Sequence, residues 1–188
     1  MATPVPGPSV PAGVVLRPPE LSDEAEARAA HAELQVDSFE FLLGLGNDEA
    51  WPGYVSRVAG WPEGRGTEAG TVPSTFLFAH AEGHLVGRAS VRHRLNPWLE
   101  RWGGHIGYAV RPAFRRRGYA TEVLRQSLVV ARSVGVELAL VTCDVDNVGS
   151  AAVIERCGGV LEGIVDGEPG ETPKRRYWVS TTAGGAHQ

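Results

Sequence analysis

Residues 111–122 read RPAFRRRGYATE, three consecutive arginines running into a glycine. Between Arg111 and Arg132 six arginines meet a single acid, Glu122, so this segment carries +5 while the rest of the chain carries −9. Positive charge packed beside a residue with no side chain suits an anion. Guanidinium groups donate charge-assisted hydrogen bonds, and a helix opening at Gly118 would aim its unpaired N–H groups and positive dipole end at the loop before it. Gly118 and Ala120 lack the bulk that would hold a phosphate off the backbone. The same residues also suit a solvated basic turn ahead of an ordinary helix. No G-x-x-x-x-G-K-[ST] is present, and Gly103, Gly104, Gly107 and Gly118 do not form G-x-G-x-x-G at a strand-to-helix turn. The pattern that fits is R-x-x-G-x-A, Arg115 to Ala120.

Other groups with chemical potential are scattered. His80 and His84 have the spacing H-x-x-x-H, but they flank Glu82-Gly83 and lack the glutamate of H-E-x-x-H, so no metal is expected. His105 alternates with Ile106, Tyr108 and Val110, which places it on the opposite face of an unbulged strand as a packed or surface histidine. His93, between two arginines, reads either as a base or substrate contact or as a solvated strand end. Cys143 and Cys157 are too few for a disulfide framework and have no neighbouring histidine, which points to small buried side chains in a reducing cytoplasm. Trp51, Trp61, Trp98 and Trp102 read either as an acceptor pocket or as core aromatics.

These groups need elements to hold them. GVVLRPP reads as a first strand, LSDEAEARAAHAEL as an exposed helix over 21–34, and 37–45 as a second helical stretch. Residues 47–70, rich in Gly, Pro and charge, read as a surface excursion with a short helical piece. STFLFAHA and HLVGRASVRHRL flank the hairpin signal Glu82-Gly83, and NPWLERWG reads as a helical turn. A strand over 103–110, an amphipathic helix over 118–135 and a strand over 137–143 make a crossover unit, with Ala120, Leu124, Leu128 and Ala131 as the helix's apolar row. DNVGSAAVIERCGG follows as a short helix capped by Asp146 or Asn147 and ended by Gly158, and VLEGIV and KRRYWVST close the chain as strands.

At 188 residues, 43% of them hydrophobic and 21% charged, the chain suits one domain over 13–181, with a disordered Pro-rich tail over 1–12 and a flexible tail over 182–188. A pI near 5.9 argues against a surface built for nucleic acid or anionic membrane, and no apolar run is long enough to span a bilayer.

VRPAFRRRGYATEVL, a following strand, and DNVGSAAVIERCGGVLEG together resemble the GNAT superfamily of N-acetyltransferases, whose acetyl-coenzyme A motif is Q/R-x-x-G-x-G/A and whose next helix carries N-x-x-[AS]. GGHIGYAVRP, TCDVDN, IERCGG and RRYW are similar to a subgroup of predicted bacterial acetyltransferases of unassigned substrate. The resemblance implies an α/β (α+β) fold: a mixed, mostly antiparallel sheet, with a parallel pair at about 104–111 and 137–143 splayed around the cofactor and helices on both faces. It implies that amides of Arg115, Arg116, Arg117, Gly118, Tyr119 and Ala120 hold the cofactor pyrophosphate, helped by the Thr121 hydroxyl. Val110 would present main-chain groups to the pantetheine arm, with Asn147 and Ser150 on its other side.

Acetyl transfer to an amine needs a neutral nucleophile, donors for the developing oxyanion and a proton for the departing thiolate. At the position where family members commonly carry a tyrosine, this chain has Ile154. Ser150 and Tyr177 are the hydroxyl candidates for proton donor and His93 is a candidate base; water could also protonate the thiolate. The implied protein is a metal-free acetyl-CoA-dependent N-acetyltransferase acting on a small-molecule or peptide amine, with a homodimer as one assembly. The competing readings are a weakly catalytic acetyl-CoA sensor or scaffold, and an RNA contact through the arginine run.

Overall fold

The computed structural model describes residues 13–182 apart from Asp37 and Glu68, so the tail expected over 1–12, and all but Thr182 of the tail expected over 182–188, lie outside the described residues. In chain order the elements are β1 (Val15–Arg17), α1 (Glu24–Gln35), α2 (Trp51–Ala59), β2 (Ser74–Ala81), β3 (His84–Arg92), β4 (Ile106–Val110), α3 (Tyr119–Ser133), β5 (Leu138–Asp144), α4 (Val148–Arg156), β6 (Val160–Val165) and β7 (Lys174–Ser180). β2 and β3 pair around Glu82 and Gly83, whose φ values of 54° and 81° make the left-handed turn that suits the twist of a tight hairpin. β1 adds to the outer edge of β2 and β4 to that of β3, all antiparallel, and a second antiparallel sheet has the order β5-β7-β6.

Side-chain alternation along β2 and β3 loads both faces of the first sheet. Phe76, Phe78 and Leu85 pack with Ala27, Leu34, Trp51 and Tyr54 of α1 and α2. Ala79, Ala81, Val86 and Ala89 face the other way, against Tyr119 and Val123 of α3. Leu124, Leu128 and Ala131 continue that helix onto Val91, Ile106, Ala139 and Val141, which ties the two sheets into one core.

β4 and β5 lie at the facing edges of the two sheets and are linked by α3, as the crossover signal predicts, yet no ladder joins them. His105, immediately before β4, makes the connection. Its N–H donates to the Leu140 carbonyl at 2.6 Å, and its ring Nδ1 accepts the Leu140 N–H at 2.9 Å. Gly104 permits this approach: its φ is 64°, and a Cβ there would lie 2.6 Å from the Leu140 oxygen. Beyond this latch the strands separate into a cleft.

Two expectations change. Residues 38–45 form turns and bends instead of a helix, because Phe41 and Leu42 turn inward to complete the α1–α2 core and Gly44 adopts a φ of 63°. The unbroken apolar run Leu138 to Val141 reads as a strand covered on both faces, yet Leu138 is exposed, whereas Ala139 to Val141 are fully buried.

The latch requires a neutral His105 ring, and burial together with nearby Arg92 lowers its pKa below the usual histidine value. A group that binds fewer protons folded than unfolded stabilises the fold fully above the unfolded pKa, here about 6.5, and progressively less as pH falls below it. His105→Ala should cost about 1–3 kcal/mol in urea unfolding at pH 7.5, because the Leu140 N–H loses its acceptor. The wild-type-minus-variant difference should shrink as pH drops below about 6.5; a pH-independent difference would show that the ring is not an acceptor.

Candidate active site

The loop between β4 and α3 turns on two left-handed residues, Arg116 at φ 64° and Gly118 at φ 84°. The second is glycine, as that conformation prefers. The first is an arginine held there at a cost of about 1–3 kcal/mol. Alternating handedness of this kind turns successive N–H groups to one side. The Arg115 N–H is engaged by the Pro112 carbonyl at 3.2 Å, and those of Thr121 and Glu122 by the Gly118 carbonyl. Within the predicted run, the amides of Arg116, Arg117, Gly118, Tyr119 and Ala120 have no hydrogen-bond partner among the described residues. Gly118 occupies the N-cap position just before α3, and having no side chain it cannot cap the helix itself.

The three adjacent arginines diverge. Arg115 donates from Nε to the Val110 carbonyl at 3.2 Å and, with Arg116, lines a cleft of about 950 Å³. Arg117 lies over the Phe114 ring at 5.8 Å and does not line it. Arg111 is bound to Glu33 at 2.6 Å, and Arg125 to Glu122 at 2.5 Å. The basic segment is therefore divided among carboxylates, a ring and the cleft.

Gly118, Tyr119, Ala120 and Thr121 form one wall of the cleft, Val110 and Tyr108 another, and Asn147 and Ser150 a third. Asn147 Oδ1 accepts the Ser150 N–H at 2.9 Å, capping α4. The Ser150 hydroxyl takes no part in that cap; it lies 2.9 Å from the Tyr108 hydroxyl and also meets the Cys143 thiol. Burial pushes the Tyr108 phenol well above its usual pKa, outweighing the opposing effect of its bond to Ser150, so it is a protonated donor at neutral pH.

Tyr108 was not singled out by sequence reasoning, although its place two residues before Val110 on the same strand face was the available signal. Arg125 and Arg156 also line the cleft and were missed. Helical periodicity puts them on the polar flanks of α3 and α4, which looks the same for a solvated face and for a cleft wall.

The remaining predicted groups lie elsewhere. Tyr177 is fully buried and donates to Glu155 at 3.0 Å, away from the cleft lining. His93 is hydrogen-bonded to the Thr75 hydroxyl at 2.8 Å, also outside that lining, and burial lowers its pKa. Ile154 is enclosed in the core. Burial raises the pKa of both free thiols, Cys143 and Cys157, leaving them poor nucleophiles. Among the described residues no group of histidines, cysteines and carboxylates could hold a metal, and no helix is long and apolar enough to cross a membrane.

The model of the acetyltransferase (GNAT) domain matches residues 14–160. Solved structures similar to this chain include Mycobacterium smegmatis RimJ in complex with CoA-disulfide, at 21% identity and a TM-score of 0.66, covering 91% of this chain and 84% of that one. The microcin C7 self-immunity acetyltransferase MccE, in complex with acetyl-CoA and AMP, matches at 19% identity and a TM-score of 0.63, covering 91% and 94%. Salmonella typhimurium yncA, with acetyl-CoA, matches at 13% identity and 0.59, covering 92% and 96%. None of the curated proteins matches the sequence.

If the amides from Arg116 to Ala120 grip an oxyanion, inorganic pyrophosphate should raise the melting temperature of the wild-type protein and leave Gly118→Glu unmoved. The variant, bearing a side chain at φ 84°, should itself melt a few degrees lower. An equal rise in both proteins would place the anion elsewhere.

Proposed function

We propose, for a chain that belongs to the GNAT acetyltransferase family, that it transfers an acetyl group from acetyl-CoA to a primary amine by direct attack within a ternary complex. The observation that carries this reading is the uncapped start of α3, whose unpartnered amides open on the cleft. Acetyl-CoA combines a pyrophosphate with a long neutral arm ending in a thioester. The chain's residues fit that group: amides of Arg116 to Ala120 for the pyrophosphate, Arg115 and Arg116 for neighbouring charge, and Val110 and Asn147 flanking the path of the arm.

Ser150 stands as the proton donor to the departing thiolate. Its hydroxyl borders the cleft, and a bond donated by Tyr108 would leave the serine proton to be shared between the cleft and the Cys143 thiol. Tyr177 and His93 are unsuited, since each is engaged away from the cleft. A buried Ile154 removes the family's usual tyrosine, and Ser150, one turn earlier on α4, supplies a hydroxyl together with Tyr108 of β4. Ser150→Ala should keep the α4 cap, which uses the backbone N–H, and lower kcat about 10- to 100-fold with acetyl-CoA affinity unchanged. Tyr108→Phe should have a smaller effect, about tenfold. Unchanged kcat in Ser150→Ala would hand the proton to water.

Pairing of two copies along β6 is part of this reading, supported by the exposed Val160, Leu161 and Ile164 on that edge strand. Thiol release from acetyl-CoA, followed across amino acids, peptide N-termini, polyamines and aminoglycosides, tests the function. Turnover with at least one class is expected. Calorimetric binding of acetyl-CoA without any release would instead identify a sensor or scaffold.

A further inference from the structure

One buried cation and one half-buried one stand on the α1–α2 side of the first sheet. Arg88 and Arg92 stand four residues apart on one face of β3, with Ser90 between them. Arg88 is 4% exposed, and among the described residues neither arginine has a carboxylate within ion-pair distance. Arg88 Nη2 donates to the Glu40 carbonyl at 3.0 Å, its guanidinium lies 4.6 Å from the Phe39 ring, and its Nε has no partner. The fully buried Tyr54 hydroxyl, within electrostatic reach of Arg88, is unpartnered too. Arg92 Nη1 donates to the Gly103 carbonyl at 3.4 Å. Burial, reinforced by Arg92, pulls Arg88 down to about 9, and burial pulls Arg92 to about 10, so both stay charged at neutral pH. Buried ions ordinarily have a counter-charge; among the described residues the Glu40 carboxylate acts on Arg88 only through space, and no carboxylate pairs with either arginine.

Arg88 adjoins the cleft. Phe39, which covers Arg88, lines it, and so does Ala109, the cross-strand neighbour of Arg88 on β4. Tyr108 and Val110, on the opposite face of β4, look toward the α3 side where the anion turn lies. A second small anion entering from the α1–α2 side would thus meet Arg88 with one aromatic ring to displace.

Resting on the acetyltransfer reading, we propose that Arg88, assisted by Arg92 and the Tyr54 hydroxyl, binds the carboxylate of the acceptor, so that the amines acetylated are amino-acid-like molecules bearing both groups. The planar guanidinium edge at Nε and the neighbouring phenol match a planar two-oxygen anion. Phe39 covers the charge until the acceptor arrives.

The test compares free L-amino acids with their carboxamides and with phosphoethanolamine, in wild type, Arg88→Met and Arg88→Lys. Met is close to Arg in volume, and replacement of a buried ion by an apolar side chain is commonly tolerated. In wild type the carboxylate should exceed the amide in kcat/KM by about 100-fold or more. Arg88→Met should erase that ratio with acetyl-CoA affinity intact, and Arg88→Lys should restore part of it. Independently of turnover, N-acetyl-L-alanine but not its amide should shift the Arg88 Nε–H resonance when CoA is present. Equal response to carboxylate and amide in wild type, a preference for phosphoethanolamine, or equal slowing of both acceptors by Arg88→Met would overturn the assignment. Failure of wild type to bind acetyl-CoA would overturn the acetyltransfer reading itself, and calorimetry reports that separately.

Discussion

Every α-helix begins with N–H groups that have no partner within it, and most helices cover some of them with a serine, threonine or aspartate side chain. α3 does not. Its first residue follows a left-handed glycine, and the amides from Arg116 to Ala120 remain open beside a cleft. The surrounding structure keeps that opening available. The His105 latch holds β4 and β5 together at one end, and the missing ladder beyond it leaves room for a ligand. Leu124, Leu128 and Ala131 anchor α3 in the core that joins both sheets, so the helix start is fixed relative to both walls.

That arrangement separates two tasks. Main-chain donors, which are insensitive to side-chain entropy, face the α3 side of β4, while polar side chains of β4 and α4 meet deeper in the cleft at the Tyr108–Ser150 pair. The opposite face of β4 adjoins the buried Arg88 under Phe39. A ligand in the cleft would thus lie between a site made of backbone and one made of charge.

Much of the turn that opens α3 was legible because its signals are local. A glycine after three arginines, a preceding strand and a following amphipathic row all fall within about thirty residues, and each depends on backbone geometry that the residue type constrains. The Glu82-Gly83 hairpin and the Asn147 cap were legible for the same reason. Residues 38–45 were not, since Phe41 and Leu42 read equally as one helical turn or as side chains inserted from a loop, and only the α1–α2 core decides between them. Tyr108 and Arg88 depend on what lies across the fold. In the sequence one is an ordinary strand aromatic and the other an ordinary strand polar residue, and it takes α4 to bring Ser150 to the first and the 39–42 turn to bury the second.

Amide hydrogen exchange resolved by NMR, with and without saturating acetyl-CoA, bears most directly on the open helix start. The account predicts that exchange at Arg116, Arg117, Gly118, Tyr119 and Ala120 slows sharply on binding, while the already bonded amide of Arg115 changes little. Undiminished exchange at those five positions in a protein shown to be saturated would contradict it.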